Sequence, residues 1–135
     1  SRQLTSIHGH AYVSVNKAVV TRASSVIPVV PLYGVILFRV MKEKGLHEGP
    51  IEQVYRLFAE RLYAQGDVPT DSEGRIRVDD WEMREDVQTE VLDLFNRITD
   101  ENVSELTDID TYHNQFLRIH GFGVDGIDYE KEIEP

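Results

Sequence analysis

The chain of 135 residues contains 14 Lys and Arg, 24 Asp and Glu and no Cys, so its formal net charge is −10. This length fits one domain, and an apolar content of 41% excludes wholesale disorder. The absence of Cys excludes a disulfide framework, a thiolate zinc site and a cysteine nucleophile. No apolar run reaches the roughly 18 residues that a membrane-spanning helix needs. We therefore expect a soluble, cytoplasmic protein without a membrane span.

The charge is divided unevenly along the chain. Residues 1–65 hold eight Lys or Arg and four Asp or Glu, whereas residues 66–135 hold six and twenty, which gives +4 and −14. The acidic half argues against nucleic acid as a partner, because it would repel the phosphates. The basic half suits an anionic ligand such as a nucleotide or coenzyme A. Two solvated faces of unequal charge would give the same pattern.

One strand and four helices are predicted in chain order. Residues 11–15 alternate small and large side chains with β-branching, which indicates a buried strand, and residues 16–25 read as a polar loop. The helices are expected at about 32–44 with Gly45 as C-cap, at 50–65 opening on Pro50, at 84–99, and at 108–120 with Thr107 as N-cap. Residues 75–78 predict only a brief extended piece, and the tail from Gly123 is acidic and expected to be irregular.

The second helix has its apolar residues on one face, and this spacing predicts that the face is buried. These residues are Ile51, Val54, Tyr55, Phe58 and Leu62. A lone strand cannot make a sheet, so we expect the strand at residues 11–15 to pair only with strands supplied from outside this chain. On this basis, and because it begins with Ser1, the chain is expected to be the C-terminal part of a longer α/β protein.

Three motifs match known patterns without the context that gives those patterns their chemistry. The sequence from Gly121 to Gly126 fits GxGxxG, but a predicted helix precedes it where a dinucleotide site needs a strand. Tyr33 and Lys42 have the offset of a reductase Tyr-x8-Lys pair, yet nine residues of helix place them on opposite faces. The five histidines show no metal-site spacing. We predict no metal site and no catalytic residue in this chain.

The loop that follows the predicted strand is the best candidate binding site. Ligands of open α/β sheets bind where a strand ends and the chain turns towards a helix. The loop carries hydroxyl groups and cations that suit a phosphate. These residues are Lys17, Thr21, Arg22, Ser24 and Ser25. An apolar stretch from Ile27 to Val40 follows. The polar loop and this apolar stretch together would suit an acyl-nucleotide substrate. An ordinary buried strand–loop–helix unit explains the same residues equally well.

Several stretches carry a family resemblance in order along the chain. They are AYVSVNKAVVT at 11–21, IPVVPLY at 27–33, LFRVMKEKG at 37–45, GRIR at 74–77, DDWE at 79–82 and GFGVDGIDY at 121–129. Together they resemble the NADH-dependent trans-2-enoyl-CoA and enoyl-acyl-carrier-protein reductases, and only the C-terminal portion of that family. Two positions depart from the family pattern: Gly34 replaces a bulky apolar residue, which would loosen its helix, and Pro50 replaces a common Cys.

The resemblance implies an α/β fold, as the C-terminal fragment of a Rossmann-like reductase with one core strand followed mostly by helices. Residues 1–66 would end the catalytic domain, with the last core strand, the cofactor loop and the substrate helices. Residues 67–135 would form an acidic helical segment that the family labels FAD-binding. Val19, Val20 and Thr21 would contact NAD. FAD is implied by the family label alone, since the segment shows no nucleotide motif.

The implied function is reduction of a trans-2-enoyl thioester of coenzyme A or acyl carrier protein with NADH, in fatty acid synthesis. The resemblance places the catalytic Tyr-x8-Lys pair and the Gly-rich NADH loop upstream of this segment, in an N-terminal part that would be the chain's partner. We therefore expect the 135-residue chain alone to be inactive. The alternative is a non-catalytic helical interaction module with an acidic docking surface.

Overall fold

The computed structural model describes residues 9–123, 125–126 and 128. Within them the chain forms two short strands and five α-helices, which confirms the predicted α/β class with mostly helical content. The strands are β1 (Val13–Val15) and β2 (Arg75–Arg77), and the helices are α1 (Val30–Glu43), α2 (Pro50–Arg56, continued by a π-helical turn at Leu57–Leu62), α3 (Glu85–Arg97), α4 (Val103–Leu106) and α5 (Ile109–Ile119). A 3₁₀ turn occupies Ser24–Val26. Among these helices, none is both long and apolar enough to cross a membrane.

The strand expected to stand alone has a partner inside the chain, so the prediction of a single strand is wrong. β1 and β2 are parallel, with Val13 opposite Arg75 and Val15 opposite Arg77. The N–H of Val78 donates to the carbonyl of Val15 at 2.8 Å and extends the pairing. Residues 75–78 were too short for periodicity to identify them as a strand. Two strands of three residues each still make a very small sheet for an α/β core.

Helix α1 is the centre of the described fold and is apolar almost all round, as predicted. It packs against α3 and α5, and its core contacts are with α3. The buried cluster consists of Ile36, Leu37, Val40, Met41, Val87 and Val91. Pro31 lies in the first turn of α1, where its missing N–H costs no helical hydrogen bond.

The end of α1 is a Schellman motif, which confirms the predicted stop at Gly45. The N–H of Gly45 donates to the carbonyl of Lys42 at 3.0 Å, and that of Leu46 donates to Met41 at 2.7 Å. This geometry needs a left-handed residue, and Gly45 has a φ of 68°.

Helix α5 is capped at its start by Asp108, whose carboxylate accepts the N–H of Thr111 at 3.0 Å. The prediction of Thr107 as N-cap is wrong, because its hydroxyl donates to the carbonyl of Val103 instead.

Helix α2 exposes the apolar face that its spacing predicted to be buried. Ile51 is 81% exposed and Tyr55 is 72% exposed, whereas Gln53 and Arg56 are 2% and 4% exposed. Periodicity identifies an apolar face but does not identify what covers it. In the described part of the chain, α2 therefore presents an apolar surface made by Ile51, Val54, Tyr55, Phe58 and Tyr63.

The buried side of α2 is held by the guanidinium of Arg56. Its Nε donates to the Glu48 carboxylate at 3.1 Å, and two further N–H groups donate to Asp80 and to the carbonyl of Val78 at 2.6 Å each. The guanidinium also lies 4.1 Å from the centre of the Trp81 ring. Such charge-assisted bonds stabilise a buried cation only with all acceptors in place. This network decides which face of α2 is turned inwards.

Removal of the Glu48 carboxylate tests this network. We expect Glu48→Ala to lower the free energy of unfolding by about 3–5 kcal/mol, because it leaves the buried guanidinium of Arg56 short of acceptors. The matched control is Asp93→Ala, which breaks an ion pair with Arg97 in which both side chains are 61% exposed. The control should change stability by less than about 0.5 kcal/mol. Urea unfolding followed by circular dichroism measures both, and equal losses would contradict the structural role of Arg56.

Candidate functional site

The loop that leaves β1 is held at its start by side chains from two other parts of the chain. The N–H of Lys17 donates to Oε1 of Gln53 at 2.9 Å, and the N–H of Ala18 donates to Oε2 of Glu82 at 2.7 Å. Gln53 lies on α2, and Glu82 lies between β2 and α3. Sequence reasoning missed both residues, because nothing local in the sequence signals a contact across 36 or 64 positions.

The tip of the loop is a small hydrogen-bonded turn. The N–H of Thr21 donates to Oγ of Ser24 at 2.8 Å, and the N–H of Ser24 donates to Oγ1 of Thr21 at 3.0 Å. The hydroxyl of Ser25 donates to the carbonyl of Arg22 at 2.9 Å. A hydroxyl that accepts one bond can still donate its proton. The exposed Thr21 therefore retains a donor that can reach a ligand.

The three residues predicted to contact NAD differ in burial. Val20 is 1% exposed and belongs to the core, Val19 is half-buried, and Thr21 is exposed. Val20 thus fixes the loop to the core, and any contact that it makes with a cofactor would come from its backbone. Thr21 presents its side chain at the surface. The contact of these three residues with NAD stays a prediction.

Lys17 is not the phosphate-binding cation that the sequence suggested. Its side chain is 2% exposed, and its ammonium donates to the carbonyl of Ala18 at 3.0 Å and lies 4.8 Å from the centre of the Phe38 ring. Burial lowers the pKa of Lys17 to about 8, although the carboxylates of Glu82, Glu48 and Glu52 raise it in part. The exposed cation on the loop is Arg22. The loop therefore offers mainly neutral hydrogen-bonding groups.

A second group of polar side chains surrounds Phe38 on α1. The His47 ring makes an edge contact with Phe38 at 5.1 Å between centroids, and its Nε2 lies 3.2 Å from the side-chain nitrogen of Gln115. Burial, with the nearby charges of Lys17 and Lys42, lowers the pKa of His47 to about 4, so the ring is neutral at pH 7. His47 and Gln115 also line a cavity of about 450 Å³ between the start of α2 and α5.

Gly34 allows α5 to approach α1 closely. A Cβ atom at this position would lie 3.3 Å from Cε2 of Tyr112, which is tighter than most such contacts. The Tyr112 ring also lies 6.1 Å from that of Phe38. The Tyr112 ring therefore occupies the space that a side chain at position 34 would take. The surroundings of Gly34 are closely packed, which differs from the expectation that this residue loosens the helix. Pro50 occupies the first position of α2, where proline is favoured.

The GxGxxG pattern and the histidines are the remaining motifs of the sequence. Gly121 follows the end of α5, so a helix precedes the GxGxxG pattern in the structure as it does in the prediction. Its last described positions, residues 125–126, form a turn, and Val124 lies outside the described residues. In the described part of the chain, no group of three or more His, Asp or Glu side chains could hold a metal ion.

A parallel strand that leads through a loop into an apolar helix is the unit from which Rossmann-like α/β folds are built. Residues 1–63 match the family model described as the trans-2-enoyl-CoA reductase catalytic region, and residues 70–133 match the model described as the enoyl reductase FAD binding domain. The chain belongs to the family of trans-2-enoyl-CoA and enoyl-acyl-carrier-protein reductases.

Individual relatives agree with this assignment. The chain is 60% identical over 128 residues to a trans-2-enoyl-CoA reductase [NADH] of Brachyspira hyodysenteriae, with 95% of this chain and 33% of the relative covered. It is 57% identical to an enoyl-[acyl-carrier-protein] reductase [NADH] of Coxiella burnetii, with 96% and 32% covered. The crystal structure of the Treponema denticola trans-2-enoyl-CoA reductase in complex with NAD has a TM-score of 0.84 at 58% identity, with 90% and 31% covered. The chain thus spans about a third of the length of these relatives.

The described surface along α3, in the second family segment, does not fit a flavin dinucleotide. An open surface depression of about 870 Å³ along α3 is lined by Arg84, Thr89 and the four acidic residues Glu85, Asp86, Glu90 and Asp93. Four carboxylates against one guanidinium would repel the diphosphate of FAD. The loop after β1 has no such excess of negative charge, and its hydroxyl and backbone donors suit the neutral groups of NADH. The charge along α3 therefore disfavours a dinucleotide at this surface, and the loop after β1 lacks this repulsion.

The buried amine of Lys17 predicts a specific pH dependence of stability. Lys17 releases its proton near pH 8 in the folded chain and at 10.5 when unfolded, so the unfolded state binds more protons between these values. The free energy of unfolding should then rise by about 2 kcal/mol from pH 8 to pH 10 through this group. We expect Lys17→Met to be more stable than the parent chain at pH 7 and to lose this rise.

Urea unfolding at pH 7, 8, 9 and 10 measures the effect in both proteins. The matched control is Arg22→Met, which removes an exposed cation of the same loop. The control should keep the slope of the parent chain. A slope that is the same in the parent chain and in Lys17→Met would show that the amine is not buried.

Proposed function

We propose that this chain is the cofactor-loop and acyl-wall part of an NADH-dependent reductase of trans-2-enoyl thioesters, acting in fatty acid synthesis. NADH, when bound, supplies the hydride that the β-carbon of the substrate accepts. The chain's own contribution is to bind and orient: the loop tip around Thr21 would donate to the cofactor, and no residue here acts as the catalytic acid. The observation that carries the proposal is this loop, between a parallel strand and an apolar helix in a chain of that family.

The segment between the loop and α1 supports contact with an acyl chain. Val26, Ile27 and Val29 are 79%, 49% and 61% exposed, so three apolar side chains lie at the surface beside the loop tip. Val29 also has a φ of 72°, which is unfavourable for a β-branched residue and is found where surrounding structure or function requires it. An acyl thioester would cover these side chains and exclude water from the reacting carbon.

The apolar surface of α2 supports a requirement for the rest of a longer reductase. Four large apolar side chains on one face of α2, with Tyr63 just after the helix, form an exposed apolar cluster of the kind that marks a protein contact. The relatives have about three times the length of this chain, so they contain enough further structure to cover this surface and to extend the sheet beyond β1 and β2. We propose that the main partner of the chain is the N-terminal part of such a reductase. Residues 1–66 would carry the cofactor loop, and residues 67–135 would support it.

A hybrid enzyme tests the proposal. In it, this chain replaces the 128 matching residues of the Brachyspira hyodysenteriae reductase, to which it is 60% identical. We expect the hybrid to oxidise NADH with crotonyl-CoA or with crotonyl-acyl-carrier-protein, whereas the chain alone and the relative without its matching segment show no turnover. Absorbance at 340 nm measures the reaction, and comparison of the two substrates identifies the carrier. A folded hybrid that fails to bind NADH would contradict the proposed function.

The contribution of Thr21 is predicted in the same hybrid. Thr21→Val removes the hydroxyl and keeps the shape, so the Kd for NADH should rise by about 2- to 100-fold, the range for loss of one hydrogen bond worth about 0.5–3 kcal/mol. Thr21→Ser retains the hydroxyl and should bind as the parent hybrid does. Fluorescence titration of NADH gives the three constants.

A further control separates a direct contact from an effect on the turn. Ser24→Ala breaks the reciprocal bond with the Thr21 backbone but leaves the Thr21 hydroxyl in place. If Ser24→Ala weakens NADH binding as much as Thr21→Val does, the hydroxyl acts only by shaping the turn. Equal constants for all variants would remove Thr21 from the site.

A further inference from the structure

Glu82 occupies an unusual place for a carboxylate, since it is 4% exposed and both of its oxygens accept hydrogen bonds from other segments. Oε2 accepts the N–H of Ala18 at 2.7 Å, and Oε1 accepts the hydroxyl proton of Tyr33 at 2.6 Å. Gln88, on α3, donates to the Tyr33 oxygen at 3.2 Å and to the Glu82 carbonyl at 2.8 Å. The Glu82 side chain thus joins the loop after β1 to the first turn of α1, and Gln88 links both Glu82 and Tyr33 to α3.

The bond to Ala18 lies three residues before Thr21, and the intervening chain has little freedom. Lys17 is fixed by Gln53, Val20 is inserted into the core, and Thr21 is closed onto Ser24. The position of the exposed tip therefore depends on where these anchors hold residues 17 and 18. The N–H of Ala18 donates to a carboxylate and that of Lys17 to a neutral amide oxygen. Hydrogen bonds to an ionised group are roughly twice as strong as neutral ones, so the bond to Glu82 is the stronger anchor.

A buried carboxylate is costly, so its presence here needs a reason. The ammonium of Lys17 is within electrostatic reach of Glu82 and lies on the same loop. An apolar side chain of similar volume would avoid the cost of burying charge, but it would leave the N–H of Ala18 and the hydroxyl of Tyr33 without this acceptor. The buried carboxylate therefore fixes the position of the loop backbone, at the cost of burying a charge.

We propose that Glu82 is a positioning residue that sets the geometry of the cofactor loop and thereby the affinity for NADH. The inference rests on the proposed function, since it acts through the loop that binds the cofactor. It also gives a role to residues 75–88 within a segment whose family model is described as FAD-binding. Through β2 and Glu82, that segment would serve the nicotinamide cofactor.

The test uses the hybrid reductase and three substitutions at one position. Glu82→Leu removes both acceptors, and we expect the Kd for NADH to rise about 10- to 100-fold, with kcat at saturating NADH changed less than about threefold. Glu82→Gln keeps an acceptor oxygen at the same reach and should stay within about threefold of the parent Kd. Glu82→Asp keeps the charge but withdraws the carboxylate by one methylene, so it should raise the Kd at least fivefold. The control Glu85→Gln, exposed at the start of α3, should change nothing.

The readouts distinguish positioning from general support of the fold. A purely structural role lowers the melting temperature and the folded fraction but leaves the Kd of the folded molecules unchanged. If Glu82→Leu fails to fold, Glu82→Asp decides, and a parent-like Kd in Glu82→Asp overturns the inference. Failure of the proposed function looks different, because the unsubstituted hybrid would then fail to bind NADH at all.

Discussion

The parallel pairing of β1 with β2 determines where the important polar groups of this chain lie. It carries residues 75–82 back to the end of β1, so that the Val78 carbonyl, Asp80 and Glu82 lie beside donor groups that are 22 to 64 positions away in sequence. Without that pairing, the guanidinium of Arg56 would lose Asp80 and the Val78 carbonyl as acceptors, and the N–H of Ala18 would lose Glu82. In the described part of the chain, three residue pairs and the bond from Val78 to Val15 hold the sheet, and they align two polar networks that organise the loop and α2.

These networks also explain how a chain with such an uneven charge forms one core. The acidic second half supplies Asp80 and Glu82 to cations and donors of the basic first half. Lys44 similarly pairs with Glu90 at 2.8 Å between α1 and α3. Part of the charge asymmetry is therefore used inside the molecule, where opposite charges attract most strongly. The acidic residues along α3 remain at the surface, where they disfavour anionic ligands.

Much of the fold could be predicted from the sequence because the signals were local. The helix stop at Gly45 and the entry at Pro50 depend on neighbouring residues, and both were identified. The apolar character of α1 was also clear, because its buried residues are contiguous. The predictions that failed concern contacts between residues that are far apart in sequence. The burial of Arg56 depends on acceptors from Glu48 and residues 78–80, and the orientation of α2 follows from that choice.

The candidate site shows the same division. Its location after β1 follows from a general property of α/β sheets, and the resemblance identified the loop. The roles of individual side chains could not be predicted from the sequence. Lys17 points inwards, towards Phe38. Gln53 and Glu82, which are distant in sequence, bind the backbone of the loop. A sequence pattern can indicate that a cation is present on a loop, but the direction of its side chain depends on the packing around it.

The contact between Gly34 and Tyr112 has a consequence for the evolution of this family. The two residues share a fixed volume between α1 and α5, and the missing side chain at position 34 is occupied by an aromatic ring from position 112. A larger residue at position 34 needs a smaller or displaced one at position 112. Across relatives the two positions should therefore vary together, with the sum of their volumes held more nearly constant than either volume alone.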